Sequence, residues 1–324
     1  MKTNKLFILS ATKTASCFLR SFVRSQKRKK RFSLTAHCLL AVLILALGGR
    51  AATVKSTHIL LLGETEVTIN VYENEGKAIT FFAPHHNEQT GLNLAREFID
   101  KNGGRLVEIE SISETGAPRR NLFFKVGERS FQVDPNRIYT ANGRSCALPE
   151  ELRPMAEHFS ENLLKVIFAP DGKSLRSGER FLVAIHNNAD ISGRVTDKES
   201  DLSAFGYIRS IGSGPLKNGA FEDQADGVYL SNFEIDPDNF IFLSTPKYLG
   251  YFAELGFNVV VQKPAFKLGS SECRIDDGSL SVYSGQNSIP YICLEADTDS
   301  GRFRQSQMIA AVYDLLQTEE KAEK

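Results

Sequence analysis

The chain has 324 residues, 42% of them hydrophobic and 24% charged, a composition typical of globular proteins that excludes intrinsic disorder for the bulk of the chain. Its 39 basic and 39 acidic residues cancel overall, but residues 1–52 carry 11 Lys and Arg and no acid. Residues 53–324 therefore carry 28 basic residues (39 − 11) against 39 acidic ones, a net charge of −11. A domain this acidic is a poor candidate for nucleic-acid binding, because neutralisation of phosphates supplies most of that affinity.

The first 52 residues combine a basic run with an apolar run. Lys27–Arg31 is entirely basic, and the uncharged stretch Leu34–Leu47 follows it closely. This stretch is shorter than the about 20 residues of a membrane-spanning helix and is typical of the hydrophobic region of a secretory signal. A cleaved signal peptide and an uncleaved membrane anchor both remain open. Either one places residues 53–324 in the periplasm or another extracytoplasmic space, with membrane contact only through the N-terminal segment.

Strand-like and helix-like patterns alternate from about residue 57 onward. In the first half of the chain the patterns predict strands at Ile59–Leu62, Val67–Val71 and Ala78–Ala83, a helix at Gln89–Lys101 and a strand at Leu106–Ile109. A hairpin of Asn121–Val126 with Ser130–Val133 follows, then a helix that ends near Val166, a strand at Phe181–Ile185 and a polar loop at Thr196–Gly227. The last part is predicted to contain a strand at Phe240–Leu243, a helix at Pro246–Leu255, strands at Val259–Val261 and Tyr291–Leu294, and a helix at Arg302–Glu320. This alternation predicts a single α/β domain at 53–324, with a central mixed, mostly parallel twisted sheet flanked by helices.

Two predicted strands end in histidine. His85 follows the strand at Ala78–Ala83, with Glu88 three residues later, and His186 follows the strand at Phe181–Ile185. Side chains at strand ends point into the crevice where α/β folds bind ligands. Two imidazoles and one carboxylate form the ligand set of many hydrolytic zinc sites. A solvated loop would also explain the His85–Glu88 spacing taken alone. His86 is a rival ligand, but it faces the opposite way if the strand continues.

Two further strings carry polar groups with a chemical use. Asn136 and Arg137 follow an Asp-Pro turn, where the guanidinium is suited to holding a substrate carboxylate, although an exposed arginine is the plainer alternative. Glu295 ends the apolar strand Tyr291–Leu294. Burying a carboxylate there is costly unless it is paired, and such a group can accept the proton of an attacking water.

Together these strings resemble the zinc carboxypeptidase superfamily, nearest its aspartoacylase and succinylglutamate desuccinylase branch. The resemblance implies that His85, Glu88 and His186 bind Zn²⁺ and that Glu295 is the general base. It further implies catalytic Arg129, which lies seven positions before the asparagine, and substrate-binding Asn136 and Arg137. The sequence departs from the family pattern at Pro135 and His86 and in the 109 residues between His186 and Glu295, a gap nearer that of the peptidase branch.

The resulting functional hypothesis is an exported zinc hydrolase that cleaves an amide in a small peptide or an acyl amino acid, with cell-envelope peptides as candidate substrates. An inactive binding module with the same fold and an ester hydrolase are the alternatives. Tyr229, Tyr248 and Tyr283 are candidates to close over a substrate. Cys273 and Cys293 either form a disulfide or remain small buried hydrophobic residues.

Export is testable without knowing the substrate. A reporter enzyme that is active only outside the inner membrane, fused after residue 60, should be active because the basic and apolar runs direct the chain across the membrane. The same fusion lacking residues 1–52 is the control and should be inactive. Activity of a cytoplasm-dependent reporter at the same position would contradict export.

Overall fold

The structure is a computed structural model that describes residues 52–188, 225–231, 236, 238–263, 273, 275–298 and 300–322. The strands in this part of the chain are β1 (Val54–Leu62), β2 (Thr65–Asn74), β3 (Thr80–Ala83), β4 (Gly104–Glu110), β5 (Leu122–Val126), β6 (Arg129–Val133), β7 (Leu182–Asn188), β8 (Ala225–Tyr229), β9 (Phe240–Leu243), β10 (Asn258–Gln262) and β11 (Tyr291–Asp297). The helices are α1 (Gln89–Asn102), α2 (Ala141–Ala147), α3 (Arg153–Ile167), α4 (Leu249–Glu254), α5 (Leu280–Gln286) and α6 (Arg302–Ala322).

Nine of these strands form one sheet in the order β1-β2-β4-β3-β7-β11-β9-β10-β8, and β5 and β6 form a separate hairpin. The central strands β4, β3, β7 and β11 are parallel, as is the pair β9 and β10. The pairs β1–β2, β2–β4, β9–β11 and β8–β10 are antiparallel. The predicted α/β fold with a mixed sheet is therefore confirmed, and parallel pairing is concentrated in the centre of the sheet.

Both faces of the sheet are covered by helices, which explains the continuous apolar runs of the central strands. One hydrophobic cluster joins a sheet face to α3 and α5 through residues such as Phe159 and Tyr283. The second cluster joins the other face to α1, α4 and α6 through Leu92, Phe252 and Met308. No helix in the described ranges is long and apolar enough to cross a membrane.

Most predicted strands and helices coincide with observed ones to within a few residues. The helices α2 and α5 were not predicted, because seven residues give too little periodicity to recognise. Most of the predicted loop Thr196–Gly227 lies outside the described residues, but Ala225–Gly227 belongs to β8, where pairing with β10 makes it a strand. The predicted targeting segment also lies outside the described residues, except for Ala52.

The disulfide links Cys146 to Cys273, with a Cα–Cα distance of 5.7 Å, so the predicted alternative of a Cys273–Cys293 bridge is wrong. Cys293 is a buried free thiol inside β11, which agrees with the other alternative for that residue. The bridge joins α2 to the segment that leads into α5. Sequence spacing could not identify the partner of Cys273, because 127 residues separate it from Cys146.

The same two segments approach each other closely at two glycines. A Cβ atom added at Gly143 would lie 2.0 Å from Cα of Gly278, and one added at Gly278 would lie 2.4 Å from the carbonyl oxygen of Arg137. Gly278 also has a φ of +76°, a conformation that favours glycine. Neither position can accept a side chain without moving backbone.

Gly143→Ala should lower the free energy of unfolding by about 1–3 kcal/mol, the usual cost of overpacking. Gly250→Ala is the matched control, because Gly250 is also helical and an added Cβ there meets nothing within 4 Å. That control should be neutral or stabilising by up to about 1 kcal/mol, owing to the better helix propensity of alanine. Urea unfolding followed by circular dichroism measures both variants. Equal stability of the two variants would contradict the close packing.

Candidate metal centre

The carboxyl ends of three adjacent parallel strands bring the candidate residues together. His85 and Glu88 follow β3, while His186 lies in β7 and Glu295 in β11. His186 and Glu295 are directly paired in register, so their side chains lie on the same face of the sheet at the same level. All four side chains are buried. Parallel strand order thus assembles residues that are up to 210 positions apart in sequence (295 − 85).

Glu88 lies between the two histidines. Its Oε1 is 2.7 Å from Nδ1 of His85, and its Oε2 is 3.1 Å from Nδ1 of His186. The two imidazole rings have centroids 4.9 Å apart. Candidate ligand atoms of the three residues all lie within 4.8 Å of one another. We call His85, Glu88 and His186 the primary site.

A buried layer of polar groups orients the primary site. Asp134 Oδ1 lies 2.8 Å from Nε2 of His85; in the neutral imidazole, a proton held on that nitrogen by Asp134 leaves Nδ1 available as a metal ligand. The backbone N–H of Asn187 donates to Glu88 Oε2 at 3.1 Å. Gln305 of α6 donates to the His186 carbonyl oxygen at 2.8 Å and accepts from the Asn187 side chain at 3.0 Å. Such contacts fix ligand orientation in metal sites.

The charges of these groups are strongly coupled. Burial opposes the imidazolium form of His85, but the carboxylates of Glu88 and Asp134 outweigh it and raise the pKa of His85 to about 9. Burial likewise opposes ionisation of Glu88 and Asp134. The histidines outweigh burial at Glu88, and His85 with Arg120 outweighs it at Asp134, so both pKa values lie well below their usual ranges. The two carboxylates are therefore ionised at neutral pH.

Glu295 faces a pocket beside the primary site. Cys293 Sγ donates to Glu295 Oε1 at 3.4 Å, whereas Oε2 is buried and has no hydrogen-bond partner within the described part of the chain. Burial raises the pKa of Glu295, and the charge of His186 offsets part of that rise. Burial also raises the pKa of the Cys293 thiol well above its usual value, so the thiol is a neutral donor. Glu295 thus lines the pocket and carries one buried oxygen, Oε2, that has no hydrogen-bond partner among the described residues.

The pocket has a cavity volume of about 60 Å³, and its wall includes His186 and Glu295. Asn136 and Arg137, the predicted substrate-binding residues, line the same pocket. Asn136 Oδ1 accepts from the backbone N–H of Leu280 at 3.0 Å, and Arg137 lies 3.4 Å from Asp277 Oδ2. Asp277 lines the pocket too, although no motif in the sequence singles it out.

The assignment of a catalytic role to Arg129 needs correction. Its side chain is 69% exposed on the β5–β6 hairpin, pairs with Glu151 at 3.7 Å and stacks on Phe131. Arg120 lines the pocket instead, donating to Glu88 Oε1 at 2.8 Å and to Asp134 Oδ2 at 3.3 Å. Sequence spacing could not distinguish the two arginines, because the hairpin between them carries Arg129 away from the site.

Other candidates lie away from the pocket. His86 contacts buried Glu108 at 2.8 Å and is not among the residues that line the pocket; β3 ends at Ala83, so the strand does not continue through it. Tyr248 and Tyr283 are core residues, with hydroxyls bonded to Glu319 and to the Gly172 carbonyl, and Tyr229 is 41% exposed on β8. The pocket wall carries none of these three tyrosines and contains Tyr291 instead.

The primary site has the donor chemistry for a divalent zinc ion. Two neutral imidazoles and a carboxylate are ligands that Zn²⁺ accepts. The unpartnered Glu295 Oε2 beside them gives a hydrogen-bond acceptor for a bound water or substrate. The residues present therefore fit a zinc ion held by His85, Glu88 and His186.

The similarities of the chain to known proteins are confined to solved structures. No family model matches the chain, and no curated protein matches it. Among solved structures, a proposed metallopeptidase from Shewanella baltica OS155 is similar, with 14% identity and a TM-score of 0.40 over 87% of this chain and 90% of that one. An aspartoacylase family protein from Mesorhizobium loti MAFF303099 is similar at 10% identity and a TM-score of 0.33, over 79% and 66%.

The charge coupling predicts a pH dependence for the chain stripped of metal by a chelator. Since folding raises the pKa of His85 from 6.5 to about 9, its contribution to stability is complete below about pH 6.5 and is lost as the pH rises through about 9. The free energy of unfolding should fall by about 3 kcal/mol across this window. Urea unfolding at a series of pH values measures it.

His85→Gln is the control and should show a much flatter pH profile. The zinc-loaded protein should not lose stability over the same window, because metal binding requires the neutral imidazole. A chelated wild type whose pH profile matches that of His85→Gln would contradict the coupling.

Proposed function

We propose that the chain is an exported, zinc-dependent hydrolase that cleaves an amide bond, of the carboxypeptidase or N-acyl amino acid deacylase type. The observation that carries the proposal is the convergence of His85, Glu88 and His186 from two neighbouring strands, with the unpartnered Oε2 of Glu295 in the adjoining pocket. A metal site alone is compatible with a structural role. A buried carboxylate beside it, in a residue that lines the pocket, supports hydrolysis.

Each residue has a role that follows from its position. When bound, zinc polarises a carbonyl oxygen and lowers the pKa of a coordinated water to about 7. Glu295 accepts the proton of the attacking water at Oε2 and returns it to the leaving nitrogen. Because burial raises the pKa of this carboxyl, activity should fall on the acid side when Glu295 becomes protonated.

Two arginines supply positive charge to the pocket. Arg120 is bonded to Glu88 and Asp134, so its guanidinium stands at the edge of the primary site, where negative charge develops on the substrate oxygen. Arg137 lines the same pocket beside Asn136 and is suited to hold a substrate carboxylate. Asp277 already contacts Arg137, so a substrate carboxylate must share or displace that contact.

The proposed export narrows the range of candidate substrates. The basic and apolar runs of residues 1–52 support a location outside the cytoplasm, where small peptides of the cell envelope are candidate substrates. An ester hydrolase would use the same residues, since both reactions develop negative charge on a carbonyl oxygen. An inactive binding module is the second alternative, and the first prediction below distinguishes it from a hydrolase.

Glu295→Gln should lower turnover by at least about 10²-fold, because the amide keeps size and hydrogen bonding but cannot accept the proton. Zinc content and folding should be unchanged. The assay uses a panel of acyl amino acids and envelope peptides, with release of amine followed on any substrate that the wild type cleaves. Full activity of Glu295→Gln would contradict the assignment of Glu295 as the general base.

Two controls separate the base from the metal. Exposed Glu254→Gln should behave as the wild type. His85→Ala should lose zinc, measured by elemental analysis of the purified protein, and should lose turnover with it. Retention of one zinc per chain in His85→Ala would contradict the primary site. A wild type that binds zinc but cleaves nothing in the panel would favour the binding module.

The corrected arginine assignment gives a paired prediction. Arg120→Ala should lower turnover by about 10²-fold, the scale found when one group that stabilises an oxyanion is removed. Arg129→Ala should remain within about 2-fold of wild type, because surface substitutions of this kind usually have little effect. The kcat of both variants, measured at equal zinc content, shows which of the two arginines contributes to turnover. A larger loss for Arg129→Ala than for Arg120→Ala would reverse the assignment.

A further inference from the structure

A second set of metal-binding side chains adjoins the primary site among the described residues. It consists of His186, Cys293 and Glu295, whose candidate ligand atoms lie within 4.8 Å of one another, and all three residues are buried. We call this set the thiol site. Cys293 and Glu295 are two residues apart in β11 and therefore point to the same face, while His186 is the register partner of Glu295 in β7.

The geometry of the thiol site suits a cation with tetrahedral ligands. Metal–sulfur and metal–oxygen bonds of about 2.3 and about 2.1 Å place such ligands about 3.6 Å apart. The observed separation of Cys293 Sγ and Glu295 Oε1 is 3.4 Å. Glu295 also offers Oε2, which is buried and has no hydrogen-bond partner within the described ranges. A thiol, an imidazole and an oxygen without a partner therefore converge on one small region of the pocket.

The two sets cannot be filled together by ordinary ligation. They share His186, and a neutral imidazole has one nitrogen lone pair available for a cation. The primary site offers nitrogen and oxygen donors only, whereas the thiol site adds sulfur. Soft cations prefer thiolate, and zinc accepts nitrogen and oxygen readily.

We propose that the pocket contains two mutually exclusive cation sites, and that a thiophilic cation such as Cd²⁺ binds His186, Cys293 and Glu295 in place of the primary site. Binding breaks the S–H bond of Cys293 and forms a metal–sulfur bond, and the proton passes to the buffer. A cation there engages Glu295, so it blocks the base. The existence of the thiol site does not depend on the proposed hydrolysis, and only the inhibition rests on it.

The test uses the full chain with Cys17→Ser and Cys38→Ser, so that Cys293 is the free thiol beside the intact Cys146–Cys273 disulfide. Chelator-treated protein is titrated with cadmium chloride, and the thiolate-to-cadmium charge-transfer absorption in the ultraviolet is recorded. The absorption should saturate at about one cadmium per chain, with about one proton released. Cys293→Ser in this background should lack the absorption, and His85→Ala should retain it. This readout requires no substrate.

Three outcomes would overturn the proposal. The absorption could be absent from the parent chain, His85→Ala could abolish it as fully as Cys293→Ser, or two cadmium ions could bind per chain. Glu295→Gln gives an independent check that leaves the thiol in place, and it should weaken cadmium binding at least about 10-fold. Circular dichroism of each variant shows whether loss of absorption reflects loss of fold.

Discussion

The buried carboxylate of Glu88, shared between His85 and His186, is the interaction on which the centre depends. A carboxylate with 4% side-chain exposure is costly unless charges and N–H donors surround it. Here two imidazoles, the Arg120 guanidinium and a backbone N–H supply those partners. Because burial of Glu88 requires these partners, its carboxylate holds together three segments that are separate in the chain. They are the turn after β3, strand β7 and the segment before the β5–β6 hairpin.

The sheet order makes this arrangement possible. The strands β3, β7 and β11 are neighbours and parallel, so their carboxyl ends open on one edge of the sheet. Behind that edge, Gln305 of α6 bonds to the backbone of β7 and to the Asn187 side chain. Gly91 of α1 donates its N–H to Asn187 Oδ1, and a Cβ added at Gly91 would lie 2.3 Å from Ile185. Helices packed on one face of the sheet thus hold in place the side chains that lie on the opposite face.

Several contacts also hold the wall of the pocket in place. The Asn136 side chain accepts from the start of α5, Asp276 accepts from Thr140, and the disulfide joins α2 to the same segment. These contacts keep Arg137 and Asp277 on the same wall. On this wall Arg137 and Asp277 form an ion pair at 3.4 Å.

From the sequence alone, the fold class, most strands and helices, and the grouping of His85, Glu88, His186 and Glu295 could be predicted. This was possible because buried parallel strands are continuous apolar runs, and a polar residue that ends such a run stands out locally. The tertiary structure was needed to show that Arg120 and not Arg129 lines the pocket, that Cys146 pairs with Cys273, and that Asp134, Asn187 and Gln305 contact the residues of the primary site or their backbone. These contacts join residues far apart in the chain, from a hairpin, a turn and the last helix. Local periodicity carries no information about which distant side chains meet, because that depends on how the strands are ordered and how the helices pack against them.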